Sequence, residues 1–325
     1  MNPPLAIGID LGGTNIKTAL VDCDGNILHR LEQPTEASRG PGPVIEDLAD
    51  LVRRLRQFSF PPSPSQGEDR GEGGVSEGIV GIGLATPGPL DLREGRIIRT
   101  ANLPGWKDVP IRDALRGKTG LPVTLENDAN AAAFGEYCSG AGRGDKDLVM
   151  LTLGTGVGAG VILNGRIVHG HFDNAAELGH MIVVVDGLPC PCGQRGCLEQ
   201  YASANAIVYR AAQYRDSHGA VTLLRAEDVA QAAANGDSIC ERVWDEACLY
   251  LAIACVNIQH AYNPAKIVLG GGISNAGAQL LDRVNAHFRK HTWSLHTDAP
   301  EIVLAQLGPD AGMVGAAILA LPPTT

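Results

Sequence analysis

The chain has 325 residues, 44% hydrophobic and 19% charged, which supplies an ordinary globular core and a length that suits two lobes. Its formal net charge of −10 argues against a nucleic-acid backbone or an anionic membrane surface as partner. No apolar run approaches the roughly 20 residues that span a bilayer, and the opening MNPPLAIGID carries no basic leader region, so a cytoplasmic location is expected.

In chain order, LAIGID, IKTALVD and NILHRLEQP read as three strands, with Asp24-Gly25 supplying a hairpin turn between the second and third. A helix is expected from Pro43 through VIEDLADLVRRLRQF, where apolar residues recur at helical spacing. Residues 61–78, PPSPSQGEDRGEGGVSEG, hold a single aliphatic side chain, Val75, and cannot bury enough surface to offset their ordering entropy. They are expected to form a flexible insertion. IVGIGLAT is the next strand, and LPVTLEND runs as a strand into the helix NDANAAAFGEY.

Residues 148–169 repeat the opening plan: LVMLTLGTG as a strand ending in glycines, GAGVIL as a second strand, Asn164-Gly165 as a turn, RIVHG as a third strand. Such a duplication predicts two similar α/β lobes facing each other across a cleft. Residues 1–126 with 308–325 are assigned to the smaller lobe and 127–307 to the larger. A long helix is expected from Asp237 to Tyr262, closed by Asn263-Pro264. KIVLGGGIS then reads as a strand opening onto a glycine turn, and PDAGMVGAAILAL as a closing helix.

DLGGT places Gly12, Gly13 and Thr14 in a strand-to-strand turn, where glycine lets backbone N–H groups approach a phosphate. Asp10 at the strand end suits a magnesium ion held through water. Gly154, Thr155 and Gly156 form the matching turn. The bland reading is a pair of ligand-free hairpins. Two look-alikes fail: Gly117-Lys118-Thr119 lacks the earlier glycine of a P-loop, because position 112 is Arg112, and Gly154-x-Gly156-x-x-Ala159 precedes a strand where a dinucleotide fingerprint must open a helix.

Asn127 and Asp128 open a helix after a strand, which is where ligands bind in α/β folds and equally where simple N-capping is found. A carboxylate between two phosphate cradles is the minimum equipment for moving a phosphoryl group onto a hydroxyl, with Asp128 as the base. Cys190, Cys192 and Cys197, with His180 ten residues upstream, supply three thiolates and an imidazole, a tetrahedral set for structural zinc. His169 and His171 are rival nitrogen ligands. The scattered Cys23, Cys138, Cys240, Cys248 and Cys255 suit small buried hydrophobes. Glu177 and Glu199 bracket the cluster; a metal would fix both carboxylates, and the alternative is two solvated surface glutamates.

DLGGT, TPGP at 86–89, ENDANAAAFGE, LGTGVGAG, ELGH, CxCGxxGCLE and LGGGIS stand in this order. With them the chain resembles the repressor–open reading frame–kinase (ROK) family of sugar kinases, most closely its bacterial glucokinases. The resemblance covers nearly the whole chain apart from the 61–78 insertion. It implies a two-lobed α/β fold of the ribonuclease-H-like, actin-type ATPase kind, closing over ATP and a hexose. It further implies Asp128 as the base for the sugar 6-hydroxyl, with Asn127, Glu177, His180 and Glu199 reading other hydroxyls and Gly88 and Asn102 in the sugar wall. His180, Cys190, Cys192 and Cys197 would hold zinc, and Gly270, Gly271 and Gly272 would pack against the adenosine. A homodimer or homotetramer is implied. Glucose is the expected acceptor, N-acetylmannosamine or N-acetylglucosamine the alternative. A non-catalytic sugar-sensing regulator or an actin-like ATPase fits the same fold less well: the chain begins at the first kinase strand, and an ATPase has no use for Glu177, Glu199 or the cysteines.

Overall fold

The computed structural model describes residues 3–58, 78–100, 103–216, 225–293, 295 and 298–322. Nearly all of the 61–78 insertion, and Asn102, lie outside the described residues. Strands β1 (Leu5–Leu11), β2 (Asn15–Val21) and β3 (Ile27–Pro34) open the chain and lead to helix α1 (Pro41–Arg56). Next come β4 (Ile79–Thr86), the short strands β5 (Leu90–Asp91), β6 (Arg96–Arg99) and β7 (Lys107–Val109), helix α2 (Ile111–Thr119), β8 (Val123–Asn127) and α3 (Asp128–Ser139). The second half begins with β9 (Leu148–Leu153), β10 (Val157–Leu163) and β11 (Arg166–Ile167), followed by helices α4 (Glu199–Ala202), α5 (Ala204–Asp216), α6 (Ala226–Ala234) and α7 (Ser238–Tyr262). It closes with β12 (Lys266–Gly270), α8 (Ala278–His291), β13 (Glu301–Leu304) and α9 (Ala311–Leu319).

Two compact units result: Met1–Ser139 with His169–Ala175 and Pro309–Thr325, and Gly140–Val168 with Ala176–Gly308. The first carries a sheet in the order β3-β2-β1-β4-β8, the second one in the order β11-β10-β9-β12-β13. In each, the first three strands are antiparallel neighbours and the last two join in parallel. The expected duplication is therefore a shared sheet topology. Asn164 and Gly165 both take positive φ, 50° and 73°, as a two-residue turn of this hand requires.

The first unit passes the expected boundary at 126 and runs to Ser139. The cause is α3, whose backbone meets that of α9: a side chain at Gly315 would overlap the Ala131 carbonyl. On one face of the sheet α1 buries Val44, Leu48, Leu51, Val52 and Leu55. On the other, α9 lies so close that a Cβ on Gly83 would overlap the backbone of Ala316. No rotamer relieves a clash with backbone. Gly83→Val is expected to destabilise the protein by about 3 kcal/mol, read as a lower denaturant midpoint with an unchanged slope.

In the second unit Asp237 caps α7, accepting the Cys240 N–H at 2.9 Å, and Asn263 ends it at φ 46°. The helix buries Cys240, Cys248 and Cys255, as expected, together with Val243, Trp244, Leu251 and Ile258. Cys23 departs from that pattern and is exposed, because it follows β2 in the turn closed by Asp22. The strand expected over RIVHG shrinks to two residues: Val168 N–H still reaches Val161 O at 2.9 Å, and at His169 the chain joins the first unit. The P-loop look-alike ends α2, with Lys118 paired to Glu46. Among the described residues no helix is long and apolar enough to cross a membrane.

Candidate active site

In the first unit, Asp10 sits near the end of β1 and the DLGGT turn follows it. The turn is held by Gly12 N–H donating to Asn15 O at 3.0 Å and by Thr35, whose hydroxyl donates to Gly12 O at 2.7 Å and whose N–H donates to Thr14 O at 2.8 Å. Thr35 is buried and was not singled out; no motif marks it. Burial pushes the Asp10 carboxyl up to about 6, the Asp128 carboxylate adds to this, and Lys17 opposes it.

β8 delivers Asn127 and Asp128 to the start of α3. The capping alternative is present: Asn127 Oδ1 accepts the N–H groups of Ala129 and Asn130 at 2.9 and 3.2 Å, and Asp128 Oδ1 accepts Ala129 N–H at 2.8 Å. Capping leaves the Asn127 amide turned toward Gly88, where an added Cβ would stand 3.5 Å from Nδ2. Asp128 keeps part of its surface accessible, yet desolvation raises its pKa against the pull of the Ala129 N–H. Asp10, Asp128, Asn127 and Gly88 thus belong to one unit. Glu126, just before them, is 4% exposed and bound to His169 Nε2 at 2.7 Å, which takes His169 out of contention as a cysteine partner. That pairing was not read from the sequence, and only the buried register of Glu126 in β8 could have hinted at it.

In the second unit, Gly154, Thr155 and Gly272 line one cavity of about 640 Å³ with Asn205, Val208, Tyr209, Arg225 and Glu227. This volume lies within the usual range for small-molecule sites. The residues contributed by α5 and by the approach to α6 went unremarked in the sequence, since their helical spacing resembles that of any packed helix. Gly271, at φ 83°, lies against the backbone of Leu153, and Gly270 against Met150, so those two glycines bring strand ends together while Gly272 faces the cavity. Glu199 Oε2 accepts the Val157 N–H at 2.9 Å and occupies the space that a Cβ on Gly156 would need. Glu199 therefore braces the second glycine turn. Glu177 is exposed at the start of a single 3-10 turn, Leu178–His180.

His180, Cys190, Cys192 and Cys197 converge, with one donor atom of each within 4.8 Å of the others. His180 Nδ1 is 3.7 Å from Cys190 Sγ, and Cys192 Sγ is 3.7 Å from Cys197 Sγ. A tetrahedron with metal–sulfur bonds of 2.3 Å has sulfur–sulfur edges of about 3.8 Å. The donor set fits a closed, thiolate-rich metal site. Gln200 Nε2 donates to Cys190 Sγ at 3.6 Å and supports it from outside. Burial pushes Cys197 up to about 12 and raises Cys190, whereas the Gln194 N–H holds Cys192 below its ordinary value.

Paired sheets of this order, each ending its first hairpin in a glycine turn, define the ribonuclease-H-like, actin-type ATPase fold. A ROK hexokinase from Thermus thermophilus superposes with a TM-score of 0.79 at 34% identity, covering 97% of both chains. A ROK family glucokinase from Streptomyces griseus, crystallised with glucose and AMPPNP, does so with a TM-score of 0.78 at 32% identity, covering 97% of this chain and 98% of that one. A glucokinase of Halalkalibacterium halodurans is 39% identical over 95% of this chain and 92% of its own. The model of the ROK family matches residues 71–322. The chain belongs to the ROK family.

Proposed function

We propose that this protein transfers the terminal phosphoryl group of ATP to the 6-hydroxyl of a hexose, with glucose as the preferred acceptor. The observation that carries the reading is Asp128: a partly accessible carboxylate at the mouth of α3, raised in pKa by desolvation and flanked by Asn127 and Gly88. A carboxylate made more basic in this way accepts a hydroxyl proton better than a solvated one. Gly154, Thr155 and Gly272 are assigned to the nucleotide, because their cavity is lined in part by the second glycine turn, where a backbone without side chains can approach a phosphate closely. Gly12, Gly13, Thr14 and Gly156 complete the two phosphate turns, while Gly270 and Gly271 shape the approach to Gly272. Glu177, His180 and Glu199 are assigned to sugar hydroxyls. With Nδ1 turned to the thiols, His180 has Nε2 left for an acceptor hydroxyl.

Asp10 is assigned to a magnesium ion, which would offset negative charge on the nucleotide phosphates. His180, Cys190, Cys192 and Cys197 are assigned to zinc, which would fix the 177–199 segment and take no part in proton transfer. An acidic chain with eight free cysteines suits a reducing cytoplasm. A homodimer or homotetramer is part of the same proposal. The test is ADP release measured against glucose, mannose, fructose, N-acetylmannosamine and N-acetylglucosamine. Glucose is expected to give the highest kcat/KM by at least about tenfold. An N-acetyl sugar ranking first would replace glucose, and ADP release independent of any sugar would sink the kinase reading.

A further inference from the structure

The stretch His169–Ala175 leaves the second unit after Val168, joins the first and departs again at Ala176. It closes on itself, the Ala175 N–H donating to His169 O at 3.0 Å. Both ends of this strap reach the chain segments assigned above to the acceptor. At one end, His169 Nε2–H donates to Glu126 Oε2 at 2.7 Å. The other oxygen of Glu126 accepts the backbone N–H of Asn127 at 2.8 Å and the side-chain amide of Asn130 at 3.0 Å. At the far end, Asn174 clamps Leu90: Oδ1 accepts the Leu90 N–H and Nδ2 donates to Leu90 O, each at 3.2 Å. Asp173 Oδ2 accepts the Leu92 N–H at 3.3 Å. Leu90 N lies 3.4 Å from where a Cβ on Gly88 would be, so the clamp acts on the wall beside Asn127.

A structural tie could end anywhere on the first unit. This one ends on the backbone of Asn127, next to Asp128, and on the backbone two residues past Gly88. Glu126 is buried, and a buried carboxylate needs partners that satisfy both oxygens. His169 supplies one of them from a distant part of the sequence.

We propose that the His169–Ala175 strap is a positioning element for the acceptor: His169, through Glu126, sets Asn127 beside Asp128, while Asn174 sets the Gly88–Leu90 wall. This rests on the assignment of Asp128, Asn127 and Gly88 to the acceptor hydroxyls. The pairing also gives the strap a pH dependence. The Glu126 hydrogen bond raises the His169 pKa, burial opposes it, and the charges of Glu126 on β8 and Asp173 on the strap add to the rise. Below that raised pKa the imidazolium holds Glu126 at full strength. As pH rises through it, the charge is lost and a weaker neutral N–H bond remains.

The test compares His169→Ala, Asn174→Ala and His169→Gln with the wild type in two measurements. One is hexose and ATP kinetics from pH 6 to 9; the other is amide hydrogen exchange of the sugar-free protein. Both alanine variants are expected to raise the hexose KM about tenfold while the ATP KM moves less than twofold, and to speed exchange at Asn127 or Leu90 respectively. His169→Gln keeps an N–H donor; it should recover most of the hexose KM and lose the alkaline rise in KM expected of the wild type. Unchanged hexose KM and unchanged exchange in both alanine variants overturn the strap. So do equal rises in the KM of hexose and ATP. Wild-type protein that phosphorylates no hexose, with exchange at Asn127 and Leu90 still speeded in the variants, overturns the kinase reading alone.

Discussion

Replacing Asp128 by asparagine is expected to lower kcat about 1000-fold, the scale of a positioned general base, while the hexose KM stays near its wild-type value. Asparagine keeps the Oδ1 that accepts the Ala129 N–H, so the start of α3 remains capped. What is lost is the group proposed to take the hydroxyl proton. The same substitution is expected to raise the melting temperature of the ligand-free protein by a few degrees. Asp10 and Asp128 are both raised by burial, and each costs the fold something when ionised. For Asp10, raised to about 6, the favourable contribution is complete below the unfolded carboxylate pKa and is lost as pH rises through 6. At pH 8 the ligand-free protein therefore carries an ionised Asp10 that its interior disfavours, and desolvation sets the same kind of cost on a charge at Asp128. Asparagine cannot carry that charge, which removes its cost and eases ionisation of Asp10. Coupled-assay kinetics and a melting curve at pH 8 test both halves. Near-normal turnover would end the base assignment; a lower melting temperature would show that the carboxylate is held for the fold.

Strand and helix identities were legible wherever periodicity had one cause. β1, β2, β4, β9 and β12 are buried on both faces and read as short apolar runs ending in turn residues. The repeat of strand, glycine turn, strand and turn in the two halves survives as two sheets of one order. The small sheet of β5–β7 was missed because two- to four-residue strands leave no pattern. The division between units was misplaced for a different reason. Glycine and alanine in α3 and α9 hide their partnership: contact at Gly135, Ala131 and Gly315 is backbone on backbone, which leaves no apolar stripe to read.

At the site, residues in compact motifs were legible and those that hold the motifs were not. Asp10, Asp128, the two glycine turns and the cysteines announce themselves by type and spacing. Thr35, which pins the first turn, and Glu126–His169, 43 positions apart, are ordinary residues whose meaning exists only in three dimensions. Glu199 was legible as a carboxylate near cysteines, but its hold on the Val157 N–H couples it to the second glycine turn, a link that spacing does not contain.

Replacing Cys192 by serine is expected to abolish a metal content of about one zinc per chain, lower the melting temperature on the order of 10 °C, and raise the hexose KM tenfold or more. Between His180 and Glu199 the chain has little secondary structure of its own: two isolated bridges, Ile182 with Cys197 and Pro189 with Arg195, and a few turn hydrogen bonds. A common partner for the three thiols and the imidazole, which lie within 4.8 Å of one another, would hold such a segment in place. Losing one ligand of four opens the tetrahedron, frees the segment, and releases Glu177 and His180 together. Glu199 should respond less, since Val157 holds it from the other side. The ATP KM should move little, because the cavity lined by Gly154, Thr155 and Gly272 shares no residue with the cluster. Elemental analysis separates this from a simple packing defect. Wild-type protein that carries no metal yet keeps its melting temperature and hexose KM after chelation would sink the zinc assignment, while Cys192→Ser protein that retains its metal would move the ligand role to another residue.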